Sequence, residues 1–215
     1  MTAKYHLMVH PELQAQLRDL HTKVLQDPSG PEAQQFAAVR TGLSALRDGR
    51  EADLDGERLG YSDRHPDLRD CAEIKLTVVA EFTRRGRAMG PSHRLIYREF
   101  EGAAADHPPV RQVMAFEPRK DGRPFEVAAN RLGRTRGAPL AELDSLPNVE
   151  PAVGPGKDPT RPIAPVRRPL PPDLAQAMKG LEGVPPAAGA ATPPRGDLER
   201  PIGPRHTPGS PTRER

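Results

Sequence analysis

The sequence predicts a small α+β domain followed by a proline-rich tail, and three observations carry that expectation. Between Asp70 and Leu132, three short apolar runs with period-two alternation follow one another, the pattern of half-buried strands. Before them, two stretches repeat apolar residues at helical spacing. After about residue 135 the composition changes: 18 of the 27 prolines lie between Pro139 and Pro211, and residues 136–215 contain no Phe, Tyr or Trp. Such a segment offers little apolar surface to offset the entropy of ordering. The expected division is a domain of residues 1–135 and a disordered Pro/Ala/Gly-rich tail of residues 136–215.

Lys4 to Val9 reads as a short strand ending at His10-Pro11. Proline suits the first turn of a helix, and Leu13, Leu17, Leu20 and Val24 then fall on one face, giving a helix to about Gln26. Asp27-Pro28-Ser29-Gly30-Pro31 is a turn in which Ser29 precedes Glu32 by three residues, the spacing of a capping box. A second helix carries Phe36, Val39, Leu43 and Leu46 on its apolar side and stops near Asp48-Gly49. Residues 49–69 are polar and turn-rich, with Leu59, Tyr61 and Leu68 available to tie the loop to the core.

A second strand covers about Cys71 to Ala80, with Ile74, Leu76 and Val78 on one face and Glu73, Lys75 and Thr77 on the other. The third, His93 to Phe100, turns Leu95 and Tyr97 one way and Arg94, Ile96 and Arg98 the other. The fourth runs from Val110 to about Glu117, and residues 124–133 suit a terminal helix or an extended edge segment. The resulting order is β-α-α-β-β-β: a small antiparallel sheet with a helical hairpin on one face and the other face open. In the tail, Leu174, Met178 and Leu181 form one helical stripe, and Pro162-Ile163-Ala164-Pro165 fits the loose pattern of a polyproline ligand.

The net charge of +3, from 32 basic and 29 acidic residues, permits an anionic partner without demanding one. A single cysteine, Cys71, excludes an internal disulfide and a cysteine-based zinc site, and it begins an apolar run as a buried, inert thiol would. The seven histidines lack metal-ligand spacing, so no metal and no cofactor is expected. No apolar run approaches the ~20 residues of a membrane helix, and Met1 to Val9 lacks a signal-peptide core. The expectation is a soluble cytoplasmic protein.

Within residues 1–135 no paired carboxylates, serine elbow or phosphate-cradling glycine loop stands out. What remains is the basic set on the open sheet face: Lys75, Arg94, Arg98 and, at the end of the fourth strand, Arg119 and Lys120. Cations arrayed on a sheet can hold a phosphodiester and stabilise the charge that develops as it is cleaved. Arg84, Arg85 and Arg87 in the loop from Glu81 to Ser92 could extend such a surface. His93 and His107 read as surface histidines.

Three pieces in order resemble the RelE/ParE superfamily of toxins from bacterial toxin–antitoxin pairs: Asp70-Cys71-Ala72-Glu73-Ile74-Lys75-Leu76, then His93-Arg94-Leu95-Ile96-Tyr97, then Arg119 with Phe125 and Ala128. The resemblance spans residues 4 to about 134. It implies an RNase-like fold that binds the ribosome and cleaves mRNA, the ribose 2′-hydroxyl attacking the adjacent phosphate, with an antitoxin protein as partner. Carried over by position, Lys75 stabilises the nucleophile or phosphate, Arg94 binds the scissile phosphate and Arg119 assists the leaving oxygen. Arg98, Lys120 and Phe125 would contact substrate. The chain departs from the family's pattern at Glu73, where such nucleases often carry a second lysine, and at Phe125, which replaces a tyrosine able to transfer a proton. These departures leave two alternatives: a non-catalytic relative that binds RNA, ribosomes or protein, and a ParE-like inhibitor of DNA gyrase.

Overall fold

The computed structural model describes residues 3–63, 65–149 and 162–181. The chain divides into a unit of residues 1–176 and a second of residues 177–215; the first holds the sheet. Its elements run β1 (His6–Val9), α1 (Pro11–Gln26), α2 (Pro31–Asp48), a 3-10 turn (Glu51–Leu54), β2 (Glu57–Arg58), β3 (Cys71–Leu76), β4 (His93–Phe100), β5 (Val110–Pro118), a 3-10 turn (Lys120–Gly122), α3 (Arg123–Arg131) and a 3-10 turn (Ala141–Leu143). A final helix, α4 (Pro172–Leu181), begins in the first unit. Among the described residues, no helix is long and apolar enough to cross a membrane.

Pro11 opens α1 and Pro31 opens α2, where a missing N–H costs nothing. The expected capping box does not form. Gly30 occupies the N-cap, and Ser29 instead donates from both its N–H and its hydroxyl to the Asp27 carboxylate. Helix α2 ends at Gly49, whose φ of +69° is the left-handed conformation that glycine adopts without a side-chain penalty. Gly42 lets α2 press onto the sheet, since a Cβ there would stand 2.9 Å from a Leu76 methyl. The core under the hairpin joins Leu13, Val39 and Leu46 to Ile74, Leu76, Leu95, Tyr97, Val113 and Phe116, so the expected inward faces of β3 and β4 hold.

The sheet order is β1-β5-β4-β3-β2. Three of its four pairings are antiparallel, but β1 runs parallel to β5, with His6 opposite Val110 and Val9 opposite Val113. The sheet is therefore mixed rather than antiparallel. The reason lies in β2, two residues inside the polar 49–69 loop, which pairs Glu57 with Glu73 and adds one reversal of the chain between α2 and β3. Strand β3 stops at Leu76 rather than Ala80, because the N–H groups of Val78 and Val79 are taken by the Ser92 hydroxyl.

The second sheet face is not open. Residues 124–133 resolve as α3, whose Ala128 and Ala129 pack with Leu68, Cys71, Ile96, Met114 and Ala115 into a second core. Burial raises the Cys71 thiol well above its ordinary pKa, as expected for an inert cysteine. His93 is a correction: it is buried, stacked on Phe116 at 5.3 Å and bonded to the Ser92 hydroxyl, and burial lowers its pKa. His107 is exposed.

The expected boundary at residue 135 is overtaken as well. Leu143 is fully buried, worth about 1.5–3 kcal/mol. Arg168 exchanges backbone bonds with the end of β4, donating to Glu99 at 3.1 Å and accepting from Glu101 at 2.8 Å. Pro162 accepts from the Arg58 N–H at 2.8 Å, and Arg167 pairs with Glu99 at 2.7 Å. The residues expected as tail from 136 to 149 and from 162 to 176 are thus part of the folded unit. Backbone and charged groups hold them, which a count of aromatics does not register. The remainder of the expected tail lies outside the described residues, apart from the end of α4.

Two buried charge clusters lock these layers. Arg111, fully buried on β5, reaches Glu51 at 2.8 Å, Glu99 at 3.0 Å and the Leu46 carbonyl at 2.8 Å, with its guanidinium 3.4 Å from the Tyr5 ring centroid. Asp70, at the head of β3, receives Arg134 at 2.6 and 2.8 Å and Arg168 at 3.0 Å, with Arg98 at 3.8 Å. Burial acts to raise the Asp70 carboxyl, but its partners, Arg134 foremost, bring it down to about 2. A depressed carboxyl stabilises the fold above the unfolded value of about 3.9. That contribution is lost as pH falls from about 4 toward 2. Asp70→Asn strands three guanidinium groups and should cost about 3–5 kcal/mol, read by urea denaturation at pH 7. The gap from the parent should narrow toward pH 2.

Candidate functional site

The sequential hairpin of β3 and β4 brings Lys75 directly opposite Arg94. Both side chains stand on the face away from α1 and α2, because Ile74 and Leu95 beside them point into the helix-covered core. The two cations do not stand alone. Lys75 Nζ lies 2.6 Å from Glu57 and 3.7 Å from Glu73, and Arg94 Nε lies 3.3 Å from Glu73. Two carboxylates therefore balance two cations. Arg94 also donates to the Pro91 and His93 carbonyls at 3.0 Å, which fixes its aim.

Glu73 is the unusual member. It is 5% exposed, its Oε2 accepts no hydrogen bond among the described residues, and its ion pairs are long. Burial raises its carboxyl above the ordinary value, while Arg94 and Lys75 oppose the rise and Glu57 adds to it. It lines a cavity of about 280 Å³ whose other walls include Glu57, Leu59, Tyr61, Leu68 and Phe125. The cavity lies where residues 57–62 and 65–68 pass beside Phe125 near the start of α3, with Leu68 buried.

The remaining expected residues are distributed elsewhere. Arg98, four residues beyond Arg94 and so about 13 Å along the strand, belongs to the Asp70 cluster. There it donates to Gln112 at 2.6 Å and covers the Phe100 ring at 4.9 Å. Arg119 pairs with Glu81 at 2.9 Å and donates to the Met89 carbonyl at 2.5 Å. Lys120 is exposed in the turn after β5, and half-buried Phe125 lines the cavity from α3. The structure thus joins Lys75, Arg94 and, through Glu73, Phe125. Arg98 and Arg119 sit in separate networks.

Glu57 was hidden among the polar residues of the 49–69 loop. A two-residue strand has no period to read, and only Leu59, Tyr61 and Leu68 hinted that the loop returns to the core.

Arg119 acts on the loop between β3 and β4. Residues 82–88 form a small hairpin through a Phe82–Ala88 bridge and a Thr83 N–H bond to Arg87 at 2.8 Å, with Arg84, Arg85 and Arg87 exposed at its tip. Arg119→Ala releases this hairpin from the end of β5. For a half-exposed pair the loss is about 1 kcal/mol, so trypsin should cut after Arg84, Arg85 and Arg87 roughly five-fold faster, as followed by mass spectrometry. The chain matches no protein-family model, no curated protein and no solved structure.

Proposed function

We propose that this chain is a toxin of the RelE/ParE type, a ribosome-dependent endoribonuclease that holds the scissile phosphate on Lys75 and Arg94. The observation that carries the reading is the cross-strand placement of those two cations beside the cavity at Glu73. The order of one strand, two helices, three long strands and a closing helix supports it as well. A phosphodiester arriving at this face meets one ammonium, a compact charge on a four-carbon stem, and one guanidinium, which offers a planar fork. Both can stabilise charge that grows on the phosphate oxygens as the 2′-hydroxyl attacks. Arg119 would reach a leaving oxygen only after giving up Glu81. An antitoxin would silence the protein by covering the same face.

A second reading has its own support. Glu57 and Glu73 already neutralise the two cations, and an incoming phosphate must displace them. A protein that binds RNA or ribosomes without cutting tolerates that competition better than a nuclease does.

Expression of the full chain in a bacterial host without its antitoxin should arrest growth. Arg94→Ala, which removes one charge-stabilising group, should slow message cleavage roughly 10²–10³-fold and restore colony formation. Unimpeded growth with the parent protein confirmed in the cells would contradict the toxin reading.

A further inference from the structure

We infer that the hairpin of residues 82–88 is an arm that grips single-stranded RNA, its phosphates on Arg84, Arg85 and Arg87 and one base on Phe82. The inference rests on the reading of Lys75 and Arg94 as phosphate ligands and names a second hold on the same strand. The arm has a defined shape. The Thr83 N–H donates to the Arg87 carbonyl at 2.8 Å, and the Arg87 N–H donates to the Thr83 hydroxyl at 3.1 Å. The Gly86 N–H closes the turn on the Thr83 carbonyl at 2.9 Å, with a φ of +74°, the left-handed corner of a three-residue hairpin loop. Arg84 and Arg85 thereby take the outermost positions. A Cβ on Gly86 would meet nothing within 4 Å, so the tip stands clear of the fold.

The root of the arm is clamped. The Met89 N–H donates to the Glu81 carbonyl at 2.8 Å, Arg119 holds the Glu81 carboxylate at 2.9 Å, and the Arg119 N–H reaches the Ser92 carbonyl at 2.9 Å. An arm already ordered loses little entropy when a ligand arrives. The chain returns from Met89 through Pro91, whose carbonyl accepts from Arg94 at 3.0 Å. A strand leaving Arg94 can pass along Pro91 to the arm, and Arg119 becomes a positioning residue for it.

Charge sets the class of partner. Arg94, Arg98, Arg111, Arg119 and Arg134 each face a carboxylate. The side chains of Arg84, Arg85 and Arg87 are exposed and have no such partner among the described residues. Three uncompensated guanidinium groups within four residues suit a chain of phosphates.

The apolar residues narrow the choice. Three of the five large apolar side chains exposed among the described residues, Val79, Phe82 and Met89, lie in this connection. Phe82 is 61% exposed, and its cross-strand partner is Ala88, too small to cover the ring. Proteins that hold single strands pair cations for the backbone with open rings for the bases. A duplex hides its base faces, so the ring favours a single strand. A loop that enters a bilayer leads with its apolar residues, whereas here the arginines lead.

Fluorescence anisotropy of a labelled, unpaired RNA of about twelve nucleotides, with the full chain and no ribosome, reads the arm directly. Affinity should fall as salt rises from about 50 to about 200 mM. Changing Arg84, Arg85 and Arg87 together to Ala should flatten the slope of log affinity against log salt by about 2, at about 0.7 per lost phosphate contact. Phe82→Ala should weaken binding about ten-fold and leave the slope unchanged. Arg18→Ala with Arg40→Ala, at exposed sites on α1 and α2, should alter neither, which separates the arm from net charge. Failure to bind RNA, a slope that the triple variant retains, an equal loss in the helix variant, or binding to phosphatidylserine vesicles in place of RNA would overturn the inference. A chain that grips RNA by this arm yet leaves translated message whole keeps the arm and loses the nuclease reading. A chain that cuts message although its triple variant binds RNA as the parent does keeps that reading and loses the arm.

Discussion

The Asp70 carboxylate is the constraint on which the rest of the architecture depends. It sits at the first position before β3, fully desolvated, and it gathers Arg134 from beyond α3, Arg168 from the 162–176 segment and Arg98 from β4. A buried carboxylate without such partners would be expelled or protonated, and the same holds for the guanidinium groups in reverse. One charge thereby fixes where the chain after α3 must run and which way the outer face of β4 can turn. It also anchors the start of β3, the strand that presents Glu73 and Lys75, so the candidate site inherits its register from this cluster.

The same physics governs the site, with a different outcome. At Asp70 three cations surround one carboxylate and hydrogen bonds of 2.6–3.0 Å satisfy it. At Glu73 two cations stand at 3.3 and 3.7 Å and leave an oxygen without a hydrogen bond. The first arrangement is closed and holds the fold together. The second borders a cavity and is held by longer ion pairs. Lys75 and Arg94 are held in place by Glu57 and Glu73.

Much of this was readable in the chain. Leu13 to Val24 and Phe36 to Leu46 give helices at their expected places because their stripes are three to four residues apart and their ends are marked by Pro11, Pro31 and Gly49. The facing of Lys75 and Arg94 followed from period-two alternation and sequential pairing. Three things were not readable. The parallel setting of β1 depends on β2, too short to show a period. The anchoring of the chain after α3 and of residues 162–176 depends on Arg134, Arg167 and Arg168 finding carboxylates 64 to 98 residues away, and such pairings leave no local mark in sequence. The division of Arg98 and Arg119 from the Lys75–Arg94 pair has the same origin, since Arg98 faces buried Asp70 and Arg119 pairs with partly exposed Glu81.

We propose that the face of Lys75 and Arg94 acts on translated RNA. The most direct test is a translation reaction on purified ribosomes programmed with a defined message, to which the purified full chain is added and the ends of the message are mapped. The message should be cut only while it is being translated, and the cuts should vanish with Arg94→Ala. A message left intact, with the protein bound to the ribosome or with DNA gyrase inhibited instead, would contradict the proposal.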